Sequence, residues 1–135
     1  MSDDALAAIL ATLLPGDGEW PAAAGLDLAA AVRGDLDPGQ LAALVAALPA
    51  DFVAGDADAR EGQLRAIEAA QPAAFERLVG AAYLAYYTHP AVRAVIERTT
   101  GYAARPPQPL GYALEPFDEA LLARQKQRAP FWRRT

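Results

Sequence analysis

Residues 72–88 have the sequence Pro72-Ala73-Ala74-Phe75-Glu76-Arg77-Leu78-Val79-Gly80-Ala81-Ala82-Tyr83-Leu84-Ala85-Tyr86-Tyr87-Thr88. Proline suits the first turn of a helix, because its missing N–H would have no partner there. The run from Leu78 to Tyr87 carries no charge, which predicts a central helix that its neighbours cover on most sides. Pro90 follows closely, so another helix is expected to begin there.

Shorter amphipathic segments precede this central helix. Ser2 or Asp3 is placed to cap a first helix that runs through Leu14. Its apolar residues recur at the i, i+3, i+4, i+7 spacing of one helix face, and they are Leu6, Ile9, Leu10 and Leu13. A second short helix is predicted over residues 22–32.

The third predicted helix has the clearest start in the chain. Asp37 is placed as its N-cap, and Gln40 is three residues on, where its side chain can reach back. Leu36 and Leu41 have the spacing of a hydrophobic staple across that cap. The helix is expected to end near Leu48.

Two further helices flank the central one. Asp58 and Glu61 suggest a capping box, which opens a helix over residues 59–70. After the central helix, a helix from Pro90 is expected to end at Gly101, a residue type that often occupies the left-handed position after a helix. No long alternating β-branched run occurs, so strands are not predicted.

The predicted fold is therefore all-α, a single domain with two parts. Residues 1–101 form a small bundle of about six short helices, and residues 102–135 form an extended proline-rich strap, a short helix from Asp118 and a basic tail. Hydrophobic residues make up 53% of the chain, but many are alanine, which buries little surface each. The expected stability is modest, and a bound partner would add to it.

A complete catalytic site cannot be assembled from these residue types. The chain has no cysteine, one histidine and one serine, Ser2, so thiolate metal sites, two-histidine sites and a serine triad are excluded. Gly16-Asp17-Gly18 follows no predicted strand and contains an acid that would repel phosphate, which excludes a nucleotide loop. Glu115, between Leu114 and Pro116, is the carboxylate with the most apolar neighbours in sequence. A free-standing enzyme that uses it is the weakest of the hypotheses.

Two groups of residues remain as candidate binding sites. Tyr83, Tyr86 and Tyr87 share one face of the central helix, where they either pack into the core or present hydroxyls to a ligand or partner. His89 follows at the helix junction, where it either caps a backbone group or makes a functional contact.

The second candidate is the strap, which is too rich in proline for a helix and rich in aromatic residues. Such a segment loses little entropy on docking, so it wraps its own bundle, lies on another protein, or does both with opposite faces. The residues predicted to bind the partner are Tyr102, Arg105, Pro106, Pro107, Pro109, Tyr112 and Phe117 of the strap, with Phe131 and Trp132 of the tail.

The net charge of −5 argues against nucleic-acid binding, which needs a concentrated basic face. Residues 1–62 contain eleven carboxylates and two arginines, whereas residues 63–135 contain six carboxylates and ten basic side chains. The basic C-terminus is either a solvated tail or a contact to an acidic partner. No apolar run reaches the roughly 20 residues of a membrane span, so membrane insertion is not expected.

Several motifs together resemble the gluconate 2-dehydrogenase subunit 3 family. Residues 13–23, Leu-Leu-Pro-Gly-Asp-Gly-Glu-Trp-Pro-Ala-Ala, are similar to its L-x-P-x-D-x-x-x-P-x-A opening. The likeness covers most of the chain and continues through Pro72-Ala73-Ala74-Phe75, Tyr86-Tyr87-Thr88-His89-Pro90, Gly101-Tyr102 and Pro106-Pro107-Gln108-Pro109.

The resemblance implies a small helical accessory subunit. Its partner would be a large FAD-containing dehydrogenase of the glucose-methanol-choline type that oxidises sugars or related alcohols. The small subunit would assist the folding, stability or export of that partner, and it would carry no cofactor itself, since the FAD would lie on the large subunit. The alternative is a stand-alone helical module that binds an apolar small ligand or another protein.

The chain departs from this family at its start. Many relatives begin with a twin-arginine signal, whereas Met1-Ser2-Asp3-Asp4 has none. The sequence as written therefore predicts a cytoplasmic complex, and a periplasmic one if a signal precedes it in the full protein.

Overall fold

The computed structural model of the chain describes residues 3–103, 111 and 115–128. This part of the chain is all-α and contains no strand, as the sequence predicts. The chain divides into two compact units, residues 1–104 and residues 105–135. The helices of the first unit are α1 Asp3–Leu13, α2 Ala29–Asp35, α3 Pro38–Ala46, α4 Ala57–Ala70, α5 Pro72–Thr88 and α6 Pro90–Thr100.

Helix α5 is the centre of the first unit, because it packs against α2, α3, α4 and α6. The side chains that it buries are Phe75, Leu78, Ala81, Ala82, Ala85 and Tyr86. Half of these are alanines, which allow the backbones of neighbouring helices to come close. The prediction of a central α5 is thus confirmed, but its neighbours leave one side uncovered, with Tyr83, Leu84 and Tyr87 about half exposed.

The core around α5 is filled by larger side chains from the other elements. Fully buried residues include Leu6, Ile9, Val32, Leu41, Val92 and Phe52. Phe52 lies in the turn between α3 and α4, where the sequence predicts only a loop. The Arg60 guanidinium holds this turn by donating to the carbonyls of Phe52, at 3.2 Å, and Val53, at 2.8 Å.

The predicted second helix over residues 22–32 is wrong, because the structure breaks it. A 3-10 turn covers Ala23–Gly25, Leu26 is extended, and α2 begins only at Ala29. In one continuous helix, Ala23 and Leu28 would point about 140° apart, since each residue turns about 100°. The break lets both side chains enter the core, with exposed fractions of 4% and 2%.

The start of α4 also differs from the prediction. Its N-cap is Asp56, whose Oδ1 accepts the N–H of Ala59 at 2.8 Å, so Asp58 lies inside the first turn. The turn around buried Phe52 ends at Gly55, which brings the next residue to the cap position. Asp58 can still favour the helix through the positive end of the helix dipole, an effect weaker than a cap.

Other helix ends agree with the sequence. Asp37 Oδ1 accepts the N–H of Gln40 at 2.9 Å, as expected for the N-cap of α3. The side chain of Gln40 differs from the prediction that it reaches back to the cap, because it accepts a hydrogen bond from Arg77 of α5 at 3.0 Å and so links two helices. Gly101 follows α6 in the left-handed conformation, with φ of 71°.

The second unit contains a short helical segment. A 3-10 turn over Glu119–Leu122 continues into α7, Ala123–Lys126. Asp118 Oδ1 accepts the N–H of Ala120 at 2.9 Å, which confirms the helix start predicted at Asp118. Phe117 and Leu121 of this segment are 65% and 70% exposed.

The position of the α4 cap can be tested by comparing two aspartates. Asp56→Ala should lower the free energy of unfolding by about 1 kcal/mol, because the N–H of Ala59 loses its acceptor. Asp58→Ala should cost about half as much or less, since only a dipole interaction is lost. Urea denaturation of both variants measures the difference, and a larger loss at Asp58 would contradict the observed cap.

Candidate partner-binding surface

The three tyrosines of α5 occupy two different environments. Tyr86 is buried, with 4% of its surface exposed, whereas Tyr83 and Tyr87 are 49% and 50% exposed. The sequence left two alternatives for these tyrosines, and each holds for different residues. Tyr86 packs in the core, whereas Tyr83 and Tyr87 face outward.

Tyr86 links α5 to the loop that follows α1. Its hydroxyl donates to the carbonyl oxygen of Pro21 at 2.8 Å. Burial raises the pKa of Tyr86 above the ordinary tyrosine value, and nearby Tyr87 and Asp17 raise it further. The hydrogen bond holds the end of the loop against the helix.

The tyrosine rings form a row along α5. The ring centroids of Tyr86 and Tyr87 are 5.3 Å apart in an edge-to-face arrangement with an angle of 85°. Those of Tyr87 and Tyr83 are 6.1 Å apart at 58°. Tyr87 therefore has a ring packed on each side. Its side chain would lose little conformational entropy when a partner binds.

These outward residues belong to one stripe of the helix, which we name the tyrosine face. It consists of Gly80, Tyr83, Leu84 and Tyr87, which are exposed and follow the i, i+3, i+4, i+7 spacing of one side of a helix. A β-carbon placed on Gly80 would meet no atom within 4 Å. Nothing in the described fold thus requires glycine at this position.

A groove lies next to the tyrosine face, and we name it the tryptophan groove. It is open, has a volume of about 300 Å³, and is lined by Leu13, Leu14, Pro15, Gly16, Asp17, Trp20, Tyr86 and Tyr87. Tyr87 belongs to both the groove and the tyrosine face, so the two form one continuous surface.

A tight turn shapes the wall of the tryptophan groove. Gly16 has φ of +75°, and a β-carbon there would approach the backbone nitrogen of Ala22 to 2.7 Å, which only glycine avoids. Asp17 Oδ1 accepts the N–H groups of Trp20 at 3.0 Å and Glu19 at 3.3 Å. The Gly-Asp-Gly sequence therefore builds a turn that positions Trp20.

His89 caps the start of α6. It ends α5, and its Nδ1 accepts the N–H of Ala91 at 3.2 Å at the start of α6. The predicted capping role is confirmed.

Only part of the predicted strap falls within the described residues. Tyr102 and Phe117 are 55% and 65% exposed, and Glu115 is also exposed, so it lacks the apolar surroundings that its sequence neighbours suggested. The other predicted partner-binding residues lie outside the described residues, and they are Arg105, Pro106, Pro107, Pro109, Tyr112, Phe131 and Trp132.

No group of three or more histidine or acidic side chains in residues 3–103, 111 and 115–128 is placed to hold a metal ion. Within the same residues, no helix has the length and apolar character to cross a membrane.

No family model, curated protein or solved structure matches the chain. The resemblance to the gluconate 2-dehydrogenase subunit 3 family therefore remains an expectation based on the motifs. The residues of its first motif nevertheless have definite places in the structure. Asp17 forms the turn of the tryptophan groove, and Pro21 accepts the hydrogen bond from Tyr86.

The different roles of the Tyr86 and Tyr87 hydroxyls can be tested by removing each one separately and measuring the free energy of unfolding. Tyr86→Phe should lower the free energy of unfolding by about 1 kcal/mol, because the Pro21 carbonyl loses its donor. Tyr87→Phe is the matched control and should change it by less than about 0.5 kcal/mol. Equal urea midpoints for the two variants would contradict the role assigned to the Tyr86 hydroxyl.

The raised pKa of Tyr86 predicts a loss of stability in alkaline solution. Its contribution is fully present below the unfolded tyrosine pKa of about 10 and is lost as the pH rises through the higher folded value. The stability advantage of the native chain over Tyr86→Phe should therefore shrink above about pH 10. Urea midpoints measured from neutral pH upward test this, and a constant difference would contradict it.

Proposed function

We propose that this chain is a non-catalytic small subunit that binds and stabilises a large FAD-dependent sugar or alcohol dehydrogenase. The observation that carries the proposal is the tyrosine face, an uncharged and half-exposed side of the central helix. The FAD and the chemistry of oxidation belong to the partner in this proposal, and the chain supplies a binding surface.

The composition of the surface supports a protein partner. Tyr83, Leu84 and Tyr87 lie side by side, and Tyr102 is a further exposed aromatic residue of the same unit. Contiguous apolar side chains on a soluble domain usually mark an interaction site, and tyrosine is enriched among residues that dominate binding energy. A tyrosine also tolerates water when the partner is absent, because its hydroxyl remains solvated.

Gly80 also supports a partner contact on the tyrosine face, because the described fold gives no other reason for glycine there. Glycine inside a helix costs about 0.5–1 kcal/mol relative to alanine. The bundle itself does not require this glycine, since a β-carbon there meets nothing. Close approach of a partner backbone at Gly80 would explain why the helix contains it.

The alanine content of α5 supports the idea of mutual stabilisation. Three of the six side chains that α5 buries are alanines, and alanine contributes little apolar area. Binding to a second protein stabilises the folded state by an amount that grows with the logarithm of the ratio of free partner concentration to Kd. A small subunit of this kind gains stability from its partner and can stabilise that partner in return.

The motif resemblance supports the identity of the partner. It points to a large flavoprotein of the glucose-methanol-choline type, whose own site supplies the cofactor. The sequence also predicts that the strap binds this partner, so the strap is a second proposed contact area in addition to the tyrosine face. Tyr102 and Phe117 are its described aromatic members, and both are exposed.

Co-expression with such a flavoprotein tests the proposal. The chain should co-purify with it and raise its yield and activity. Leu84→Ser and Tyr87→Ser should each weaken the complex about 10-fold or more, as expected for central contacts of an interface. Tyr102→Ser and Phe117→Ser measure the contribution of the strap in the same assay.

Two glycines provide a matched control for the tyrosine face. Gly80→Ala and Gly62→Ala both change an exposed helical glycine with open space around it, so each should stabilise the free chain by about 0.5–1 kcal/mol. Only Gly80→Ala should weaken the complex. A flavoprotein that is equally soluble and active alone, and that does not retain the chain, would contradict the proposed function.

A further inference from the structure

The aromatic residues of the combined surface share one chemical property. Tyr83, Tyr87 and Trp20 each offer a flat apolar ring and an O–H or N–H donor at its edge. Within the described residues, the hydroxyls of Tyr83 and Tyr87 have no acceptor, whereas that of Tyr86 is held by Pro21. The surface therefore presents rings together with unused donors.

This property discriminates between the conformations that a partner segment could adopt. The carbonyl groups of an α-helix already accept hydrogen bonds within the helix, so its sides offer few acceptors to Tyr83 and Tyr87. A polyproline II segment has no internal hydrogen bonds, and its carbonyl groups are all free to accept. Its proline rings also pack flat against aromatic side chains in known recognition grooves.

The packing of the tyrosine rings also favours a segment of this kind. Tyr87 is braced between Tyr86 and Tyr83, at centroid distances of 5.3 and 6.1 Å. A proline-rich chain is also restricted before it binds, because each pyrrolidine ring fixes φ. Two surfaces that are ordered in advance lose little conformational entropy when they associate.

The charge of the groove adds a second requirement. Asp17 is exposed at the groove, and only its Oδ1 is engaged by the N–H groups of the turn. The adjacent carboxylate of Glu19 pairs with Arg98 at 3.0 Å. Residues 3–103 contain 14 carboxylates and six arginines, a net charge of −8. A basic side chain beside the prolines would therefore be attracted to Asp17.

We infer that the tryptophan groove and the tyrosine face together bind a proline-rich segment with an adjacent arginine or lysine, supplied by the partner protein. The prolines lie against Trp20, Tyr87 and Tyr83, the tyrosine hydroxyls donate to the segment's carbonyls, and the basic side chain pairs with Asp17. The inference rests on the proposed function for the existence of a partner and specifies the chemistry by which that partner is bound.

A synthetic peptide tests the inference with the full chain alone. The probe is a fluorescein-labelled peptide in which an arginine precedes repeated Pro-Pro-Ala units, and the control peptide has alanine at every proline. Fluorescence anisotropy should show saturable binding of the first peptide and at least about 10-fold weaker binding of the second. Binding should weaken with added salt, because one ion pair contributes.

Three variants locate the binding site. Tyr87→Ala should raise the Kd about 10-fold, and Tyr87→Phe should raise it about 3-fold through loss of the donor alone. Asp17→Asn keeps an oxygen that can accept the N–H groups of Trp20 and Glu19, so the turn is retained, and only the charge is lost. It should raise the Kd about 3-fold and reduce the salt dependence. Val53→Ala changes an exposed apolar residue outside this surface and should have no effect.

Each other outcome would overturn the inference. Absence of binding at millimolar peptide would exclude a proline-rich segment of the partner as the occupant. Equal or tighter binding of the alanine peptide would show that the surface accepts a helix. Binding that Tyr87→Ala leaves unchanged would place the peptide elsewhere. These results are distinguishable from failure of the proposed function, because co-purification of the native chain with the flavoprotein, and its loss in Leu84→Ser, are measured separately.

Discussion

The first unit depends on how closely other helices can approach α5. Ala81, Ala82 and Ala85 are three of its six buried side chains, which allows neighbouring backbones to come near, and larger side chains of the other elements fill the core. Val32 of α2 and Leu41 of α3 are fully buried in this arrangement. Because these alanines contribute little area, larger buried side chains such as Leu41, Val32 and Phe52 supply the apolar burial that they do not. A larger side chain at these positions would separate the helices, and overpacking typically costs about 1–3 kcal/mol.

The same helix connects the core with the candidate binding surface. The buried ring of Tyr86 packs inside, while its hydroxyl donates to Pro21 and its ring lies edge-to-face with the exposed ring of Tyr87. Packing of the core thus determines the orientation of a ring that faces outward. The loop held by Pro21 also contains Trp20, whose position depends on the turn formed by Asp17. A change in the core near Tyr86 would therefore alter the groove without touching any of its exposed residues.

The sequence predicts the fold class and most helix starts, because these depend on local chemistry. Asp37 caps α3 and Pro72 opens α5 through contacts within a few residues, which spacing reveals. The break between Ala23 and Ala29 could not be predicted, since its cause is the need to bury both Ala23 and Leu28 against distant helices. Phe52 was missed for the same reason, because a single aromatic residue in a predicted loop shows no helical periodicity. For the site, the tyrosine spacing identified the correct helix, but only tertiary packing distinguishes Tyr86 from Tyr83 and Tyr87.

The exposed apolar side chains of the tyrosine face would limit how much of the free protein can accumulate in a cell. Under the proposed function, a chain without its partner would leave Tyr83, Leu84 and Tyr87 in water, and two such chains could bury these side chains against each other. Surplus subunits would then self-associate or be degraded as orphans. Under the proposed function, balanced synthesis of the two proteins avoids this loss, and translation from neighbouring genes on one messenger RNA is the simplest way to achieve that balance.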